Sequence, residues 1–396
     1  MTVKILVVDD EPDLEALIRQ KFRRQIRDNE LMFVFAHNGI EALQAIEQEK
    51  DIELVLTDIN MPEMDGLTLL LKLSELKRLL KAIVVSAYGD LDNIRTAMNR
   101  GAFDFLTKPI DFRDLEITIQ KTLEQICMLK QAVNDHDKLL AIHRELDIAR
   151  EIQMSIVPSE FPPFPGRTEL DIYAMMIAAQ QVGGDFYDFF FIDEKRLGFV
   201  IADVSGKGIP AALFMAVSRT LLKTMALKQQ PPAECLYTVN HMLCGDNAPE
   251  MFVTLFYGIL NVETGGLEFC NGGHNYPYIL RAGGGVEMVR SRGGMALGIF
   301  DDMPYVNGAE TLRPGDSFFL YTDGVTEAQN VAGEFYGDPR LAEILAGLSD
   351  GNAQNIIDTV VNDARKYAGE APQSDDITAL AIKYAGSGNE PVAKLS

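Results

Sequence analysis

The residues of this chain best suited to chemistry are polar groups placed where short apolar runs end. Asp9 and Asp10 close the run Val3–Val8, Asp58 closes 54–57, Ser86 closes 82–86, and Lys108 with Pro109 follows 103–106. A single aspartate in such a place reads as a helix cap or a turn residue. Residues of this kind at successive strand ends read differently. In a doubly wound parallel sheet the carboxyl ends of the strands share one edge, where ligands bind, so these side chains converge. Three carboxylates together repel one another and raise at least one pKa unless a hard cation sits among them. Mg²⁺, which takes few carboxylates plus waters and phosphate oxygens, suits the set. The lysine and the hydroxyl suit a phosphoryl group carried on one of the carboxylates.

A second set lies far along the chain: Asp185 after Gly183-Gly184, Asp203 in Asp203-Val204-Ser205-Gly206-Lys207-Gly208, Asp323 before Gly324, and the pair Asp375-Asp376. Each adjoins a predicted strand edge or a glycine, where backbone can approach a ligand closely. No cluster of His and Cys has zinc spacing, so carboxylate and carbonyl oxygens must do any metal work, which suits Mg²⁺ or Mn²⁺. Two such ions bridged by a carboxylate can ionise a water and clamp a phosphoryl oxygen, giving hydrolysis without a protein nucleophile. His274, in Asn271-Gly272-Gly273-His274-Asn275, has an ordinary pKa near neutrality. A structural role, shaping a loop under a sheet, nevertheless outweighs an acid–base one. Lys207 reads as a charge at the site edge, and the glycines at 283–285 and 293–294, with no P-loop lysine, read as hairpin turns.

The elements that must hold these residues fall into three stretches. From Val3 to about Phe112, short β-branched runs alternate with amphipathic segments, five βα units of a parallel sheet covered on both faces. From about Asp111 to Val157 there is neither Pro nor Gly. Ile119, Ile126, Val133 and Leu140 recur every seven positions, then Leu139, Leu146 and Gln153 recur with Ile142, Ala149 and Ile156. Two heptad seams joined by a slip near 135–138 predict a helical linker that self-associates; the alternative is one amphipathic helix lying on its own domain. The proline-dense stretch 159–166 breaks the helix. Beyond it, alternating strands such as 197–202, 252–261 and 318–322 mix with helical stretches at 209–228, Pro232–Cys244 and Ala353–Ala368, an α+β layered domain. The expected boundaries are 1–125, 112–158, 159–386 and a disordered tail, 387–396.

Composition bounds the function. The 396 residues fit two to three domains, and 47% hydrophobic with 24% charged residues is a globular balance. Acids outnumber bases 58 to 36, for a net charge of -22, which disfavours nucleic acid and anionic membrane as partners. Four cysteines, none in a Cys-x-x-Cys pair, fit a reducing cytoplasm. No signal-peptide layout opens the chain and no apolar run reaches the expected length of a membrane span.

Residues 3–125 resemble a response-regulator receiver domain, with the acidic pair, the phospho-accepting Asp, the Ser/Thr and the Lys-Pro all present. The resemblance implies that Asp58 accepts phosphate. It also implies that Asp10, Asp58 and the carbonyl of Asn60 ligate Mg²⁺ with Asp9 in support, and that Ser86 and Lys108 contact the phosphoryl group. Phe105 holds the place of the aromatic switch residue and Pro109 that of a cis proline. Residues 150–384 resemble the PPM family of metal-dependent Ser/Thr phosphatases, in its SpoIIE/RsbU-like branch, through GGDFYD, DVSGKGIPAAL, GGHNYP, YTDGVTEA and SDDIT in family order. That implies a helix-flanked β-sandwich binding two Mn²⁺ or Mg²⁺. Asp203 would bridge the ions with the carbonyl of Val204 adding a ligand, Asp323 and Asp375 would hold one ion, and Asp185 would serve the other. Asp376 takes a supporting position. Relatives that use an arginine just before the first motif have it where this chain reads Ala179-Gln180-Gln181-Val182, so the substrate-phosphate contact is unassigned.

Together these features predict a dimeric, cytoplasmic two-component response regulator. A sensor histidine kinase would load Asp58, and the output would dephosphorylate a phosphoserine or phosphothreonine protein, by resemblance a STAS-type anti-sigma-factor antagonist. The competing expectation is an adaptor that binds a partner in a phosphorylation-dependent way without turnover. The presence of Asp185, Asp203, Asp323 and Asp375 argues against it. A DNA-binding output is disfavoured by the absence of a helix-turn-helix pattern and of a basic patch.

Overall fold

The computed structural model describes residues 2–76, 78–87, 90–245 and 251–386. The tail 387–396 lies outside the described residues. The chain divides into two compact units, Met1–Ile142 and His143–Ser396.

The first unit is an α/β layer structure. Its strands are β1 (Val3–Val8), β2 (Leu31–Ala36), β3 (Ile52–Asp58), β4 (Lys81–Ala87) and β5 (Asp104–Lys108), ordered β2-β1-β3-β4-β5. All pairs are parallel. Alternate residues of these strands face opposite layers, as the strand pleat requires. Leu6, Val8, Val55 and Val84 pack in one core, and Ile5, Val7, Leu54, Leu56, Ile83 and Val85 in the other. The helices are α1 (Pro12–Lys21), α2 (Arg23–Arg27), α3 (Gly39–Gln48), α4 (Gly66–Glu75) and α5 (Leu91–Asn99). Asn38 caps α3 by accepting from the amides of Ile40 and Glu41.

Helix α6 runs unbroken from Phe112 to Ile156. Its first turns lie on the first unit's core: Leu115, Ile119, Thr122 and Ile126 are buried. Two positions of the predicted heptad seam are therefore used by the domain itself. Beyond them Val133, Leu139, Leu140 and Ile142 are exposed, and the helix continues through 135–138, where Lys138 pairs with Asp135 at 3.8 Å.

The second unit is a sandwich of two antiparallel sheets. One contains β7 (Phe186–Phe191), β8 (Arg196–Val204), β9 (Val253–Asn261), β10 (Gly266–Gly272) and β13 (Gly308–Thr311), ordered β13-β10-β9-β8-β7. The other contains β6 (Leu170–Ile177), β11 (Tyr278–Leu280), β12 (Val286–Met288), β14 (Ser317–Tyr321) and β15 (Ile377–Tyr384), ordered β12-β11-β14-β15-β6. Phe199, Phe256 and Phe269 of the first sheet meet Phe318 of the second, with Phe256 and Phe269 stacked at 5.0 Å and Phe199 edge-on to Phe318 at 5.8 Å. Gly258 is required there, because a Cβ would lie 2.3 Å from the Phe199 ring. Helices α7 (Ile209–Ala226) and α8 (Pro232–Gly245) contribute to this core. The short α9 (Asp323–Thr326), with α10 (Gly337–Ala346) and α11 (Ala353–Ala368), covers the outer face of the second sheet.

Two expectations need correction. The glycines at 293–294 form no hairpin. Gly294 donates to the Asn271 carbonyl at 2.7 Å, and a Cβ on Gly293 would stand 2.1 Å from that oxygen, so the pair serves close approach. Helix α7 is long and apolar enough to cross a membrane by length and composition, although no such run was expected. Its inner side is explained by packing, with Ala211, Met215, Leu222, Met225 and Ala226 buried in the sandwich core, while Ile209, Leu213 and Val217 are exposed on the other side.

The polar anchor of α7 is a buried ion pair. Asp188 of β7 is 1% exposed and meets Arg219 at 2.7 Å and Lys223 at 3.2 Å. Removing one partner of such a pair leaves uncompensated charge and costs about 3–5 kcal/mol. Asp188→Ala should therefore lower the stability of this unit by about 3 kcal/mol in urea unfolding followed by circular dichroism. A loss below about 1 kcal/mol, the range of an exposed pair, would show that the pair does not anchor α7.

Candidate functional site

The first unit gathers its polar residues at the carboxyl edge of the sheet. Asp9 and Asp10 follow β1, while Asp58 ends β3, Ser86 lies near the end of β4 and Lys108 ends β5. Carboxylate oxygens of Asp9, Asp10 and Asp58 all lie within 4.8 Å of one another. Lys108 reaches in from β5 to Asp58 at 2.6 Å, Asp9 at 3.1 Å and Glu11 at 3.0 Å. Burial opposes its charge, but the hydrogen bonds to Asp58, Glu11 and Asp9 win and raise its pKa. Asp9, 6% exposed, is shifted upward mainly by burial, with Lys108 pulling the other way. Among the described residues the buried Ser86 hydroxyl has no hydrogen-bond partner, which leaves it suited to an arriving oxygen. Asn60 donates its amide to Asp58 at 3.4 Å. Phe105 is 41% exposed on β5, and the Lys108-Pro109 peptide is cis. Gly66 lets α4 start against β3, since a Cβ there would lie 2.0 Å from the Asp58 carbonyl. The contact of Lys108 with Glu11 was not anticipated; Glu11 directly follows the acidic pair. These oxygens fit a hard divalent cation, the set that Mg²⁺ prefers.

In the second unit the acids come from one end of both sheets. Asp185 precedes β7 and Asp203 lies in β8; Asp323 opens α9 after β14, and Asp375 and Asp376 precede β15. Asp185 is 2% exposed. Its pKa is pushed well up, first by burial and then by repulsion from Asp203 and Asp376. Asp203 is pushed up to about 7 by burial and by repulsion from Asp323 and Asp375, against a hydrogen bond with Asp185. Asp323 is pushed up to about 6 by burial, Glu327 and Asp375. Lys207 stands at the rim, 3.0 Å from Asp375, and donates to the Ser374 carbonyl. An all-oxygen set with this much mutual repulsion fits divalent cations.

The backbone around these acids is held by residues that spacing alone does not identify. Asp376 accepts from the amides of Ala179 and Gly184, each at 2.8 Å, so its carboxylate clamps the loop that carries Asp185. A Cβ on Gly183 would lie 2.1 Å from that carboxylate, and one on Gly324 1.9 Å from the Asp376 carbonyl. Gly184 passes against the Val204 carbonyl, where a Cβ would be at 2.8 Å. Thr322, whose place beside Asp323 in YTDG is the only signal the sequence offers, donates to Asp185 at 2.7 Å.

His274 is held from every side. Its amide donates to Asn271 at 2.7 Å, and Asn271 donates back to its carbonyl at 2.9 Å. Nε2 lies 3.1 Å from the Tyr321 carbonyl and Nδ1 2.9 Å from the Thr254 hydroxyl. A carbonyl can only accept, so Nε2 carries the proton and Nδ1 accepts from Thr254. Burial lowers the His274 pKa to about 4, which keeps the ring neutral. This geometry supports a structural role.

Residues 5–120 match the family described as Response regulator receiver domain, and residues 193–385 match Stage II sporulation protein E (SpoIIE). Protein IcfG of Synechocystis sp. (strain ATCC 27184 / PCC 6803 / Kazusa) is 30% identical over 77% of this chain, and the chain spans 50% of that relative's length. Phosphoserine phosphatase RsbU of Bacillus subtilis (strain 168) is 27% identical over 64% of this chain and 75% of its own. The solved SiaA-PP2C domain of Pseudomonas aeruginosa superposes with a TM-score of 0.54 at 25% identity, covering 62% of this chain and 98% of that one.

The upward shifts give a signed prediction for the metal-free protein. An aspartate whose folded pKa exceeds its unfolded value binds its proton more tightly when folded. Its contribution is harmless below about pH 4 and becomes a growing penalty as pH rises toward about 7, the value at Asp203. In a chelator, Asp203→Asn should melt several degrees above the parent at pH 7.5, with a smaller gain at pH 5. Saturating Mn²⁺ should reverse the order at pH 7.5. Equal melting temperatures at both pH values in chelator would show that the cluster is not strained.

Proposed function

We propose, for a chain that belongs to the response regulator receiver family through residues 5–120 and to the SpoIIE family through residues 193–385, a metal-dependent protein-serine/threonine phosphatase controlled by phosphorylation of Asp58. The observation that carries this reading is the pairing of buried Asp185 with half-buried Asp203, facing Asp323 and Asp375, four acids with Lys207 as the paired cation at their rim. Asp203, which meets Asp185 through a hydrogen bond and Asp323 and Asp375 through repulsion, would bridge two Mn²⁺ or Mg²⁺ ions. Asp323, Asp375 and the Val204 carbonyl would complete one side of the site, and Asp185 the other. Ions bound there would supply Lewis acidity toward a phosphate ester and toward water. The protein's own part is to hold the acids close, through Asp376, Thr322 and the glycines.

In the receiver, Mg²⁺ would sit on Asp10, Asp58 and the Asn60 carbonyl with Asp9 in support. A sensor histidine kinase would load Asp58. The phosphoryl group would then take Lys108 away from Asp9 and Glu11 and engage the unpartnered Ser86 hydroxyl, and Phe105 would move with β5. The substrate would be a phosphoserine or phosphothreonine protein. The name of the RsbU relative supports phosphoserine, and a STAS-type anti-sigma-factor antagonist is the class that the resemblance suggests. The apolar residues exposed on α6 between Met128 and Ile152 support a homodimer joined through a coiled coil in that part of the linker.

Hydrolysis of a phosphoserine peptide in Mn²⁺, with and without beryllofluoride, tests this reading. Beryllofluoride should change turnover. Asp203→Asn should lower it at least about 100-fold, the upper end of what loss of a residue supporting a metal ligand costs. Turnover that survives in Asp203→Asn would contradict the assignment of the site. Turnover indifferent to beryllofluoride would contradict control through Asp58.

A further inference from the structure

Helix α6 presents one fully buried side chain between His143 and Ile156, and it is polar. Gln153 is 5% exposed, while Ile148 and Ile152 of the same turns are 57% and 59% exposed. Leu146, Ala149 and Ile156 are half-buried on the Gln153 face. A polar amide at the most protected position of an amphipathic helix needs both halves satisfied. Both find their partner in a single residue: Gln153 Nε2 donates to the Gly183 carbonyl at 2.6 Å, and the Gly183 amide donates to Gln153 Oε1 at 3.2 Å. The side chain thus engages Gly183 as a neighbouring β-strand would, through donor and acceptor together.

Gly183 is two residues from Asp185, in a loop fixed at three points. Gln153 holds Gly183, Asp376 holds the Gly184 amide at 2.8 Å, and Thr322 holds the Asp185 carboxylate at 2.7 Å. Asp376 and Thr322 belong to the second sheet's end of the site. Gln153 alone comes from the helix that continues to the receiver. The end of that helix is seated by Val157 in the sandwich core and by the Tyr187 hydroxyl, which donates to the Pro158 carbonyl at 2.7 Å. Rotation or sliding of α6 by a fraction of a turn would withdraw both hydrogen-bonding groups from Gly183 at once. The Gly183 amide and carbonyl would then be left without partners, a state that favours rearrangement of the loop.

We propose that Gln153 is a positioning residue that couples the state of the linker helix to Asp185, so that the phosphatase metal site is complete only while the Gln153–Gly183 pair is made. This deepens the phosphatase reading and rests on it. The two can fail separately.

The test uses the full chain and compares Gln153→Met, which keeps length and loses both hydrogen bonds, with the parent. Calorimetric Mn²⁺ titration should show at least tenfold weaker binding at the phosphatase site. Saturating Mn²⁺ should restore kcat toward the parent value, a split that general loss of structure would not give. Unchanged Mn²⁺ affinity in a folded variant overturns the proposal and leaves the phosphatase reading intact. A parent that neither binds Mn²⁺ at that site nor hydrolyses phosphopeptide overturns both.

Should Gln153→Met fail to fold, amide hydrogen exchange of the parent decides. Beryllofluoride should change exchange at Gly183, whose amide reports Gln153, more than at Phe256 within the sandwich core. Turnover that responds to beryllofluoride while Gly183 exchange stays constant would overturn the proposal.

Discussion

The second unit of this chain is organised by a repulsion. Asp185, Asp203, Asp323 and Asp375 are brought from four places in the sequence to one end of a sandwich, in surroundings that penalise the ionised forms of Asp185, Asp203 and Asp323. The fold has to impose that arrangement, because the side chains resist it. It does so with backbone. Glycines at 183, 184 and 324 let three segments pass within distances that a Cβ would forbid, and Asp376 spends its charge on two amides rather than on solvent. The aromatic core beneath, Phe199, Phe256, Phe269 and Phe318, supplies the rigidity on which such close approach depends. An all-oxygen site assembled under strain is prepared for a cation that relieves it.

The receiver meets the same problem by other means. Its three carboxylates lie within 4.8 Å of one another, but Lys108 reaches across from β5 at the sheet edge to bridge Asp58, Asp9 and Glu11. The internal cation makes the acidic pocket tolerable, and the buried Ser86 hydroxyl has no partner among the described residues. A phosphoryl group on Asp58 would therefore arrive among groups that already have to exchange partners.

The residues that sit on strand ends were legible because position in a strand is periodic and local. Asp9, Asp10, Asp58, Ser86 and Lys108 each end or follow an apolar run, so the parallel sheet and its polar edge could be inferred together. Helix α7 was legible from its apolar spacing and the strands β8, β9 and β14 from alternation, while their stacking as a two-sheet sandwich came only from the family resemblance. What could not be read depends on partners far away in the chain. The contact of Asp376 with Gly184 spans 192 residues, that of Thr322 with Asp185 spans 137, and even Gln153 and Gly183 are 30 apart. Gln153 was visible only as a member of a heptad stripe. Its neighbours explain it, since the seam position faces a backbone segment with two unsatisfied groups. The heptad pattern also misled at its start, because burial against the receiver core produces the same spacing at Ile119 and Ile126 as a partner helix would. Helix α10 went unread, its apolar face interrupted by Pro339 and Arg340.

The claim on which the account rests is that the carboxylate cluster exists to hold two cations joined through Asp203. Electron paramagnetic resonance of the Mn²⁺-saturated chain tests it most directly, in an Asp10→Asn background that removes a receiver ligand. Two ions bridged by one carboxylate should give an exchange-coupled spectrum, and Asp203→Asn should leave only the six-line signals of isolated Mn²⁺. Isolated signals alone in the chain that retains Asp203, at saturation, would contradict the account.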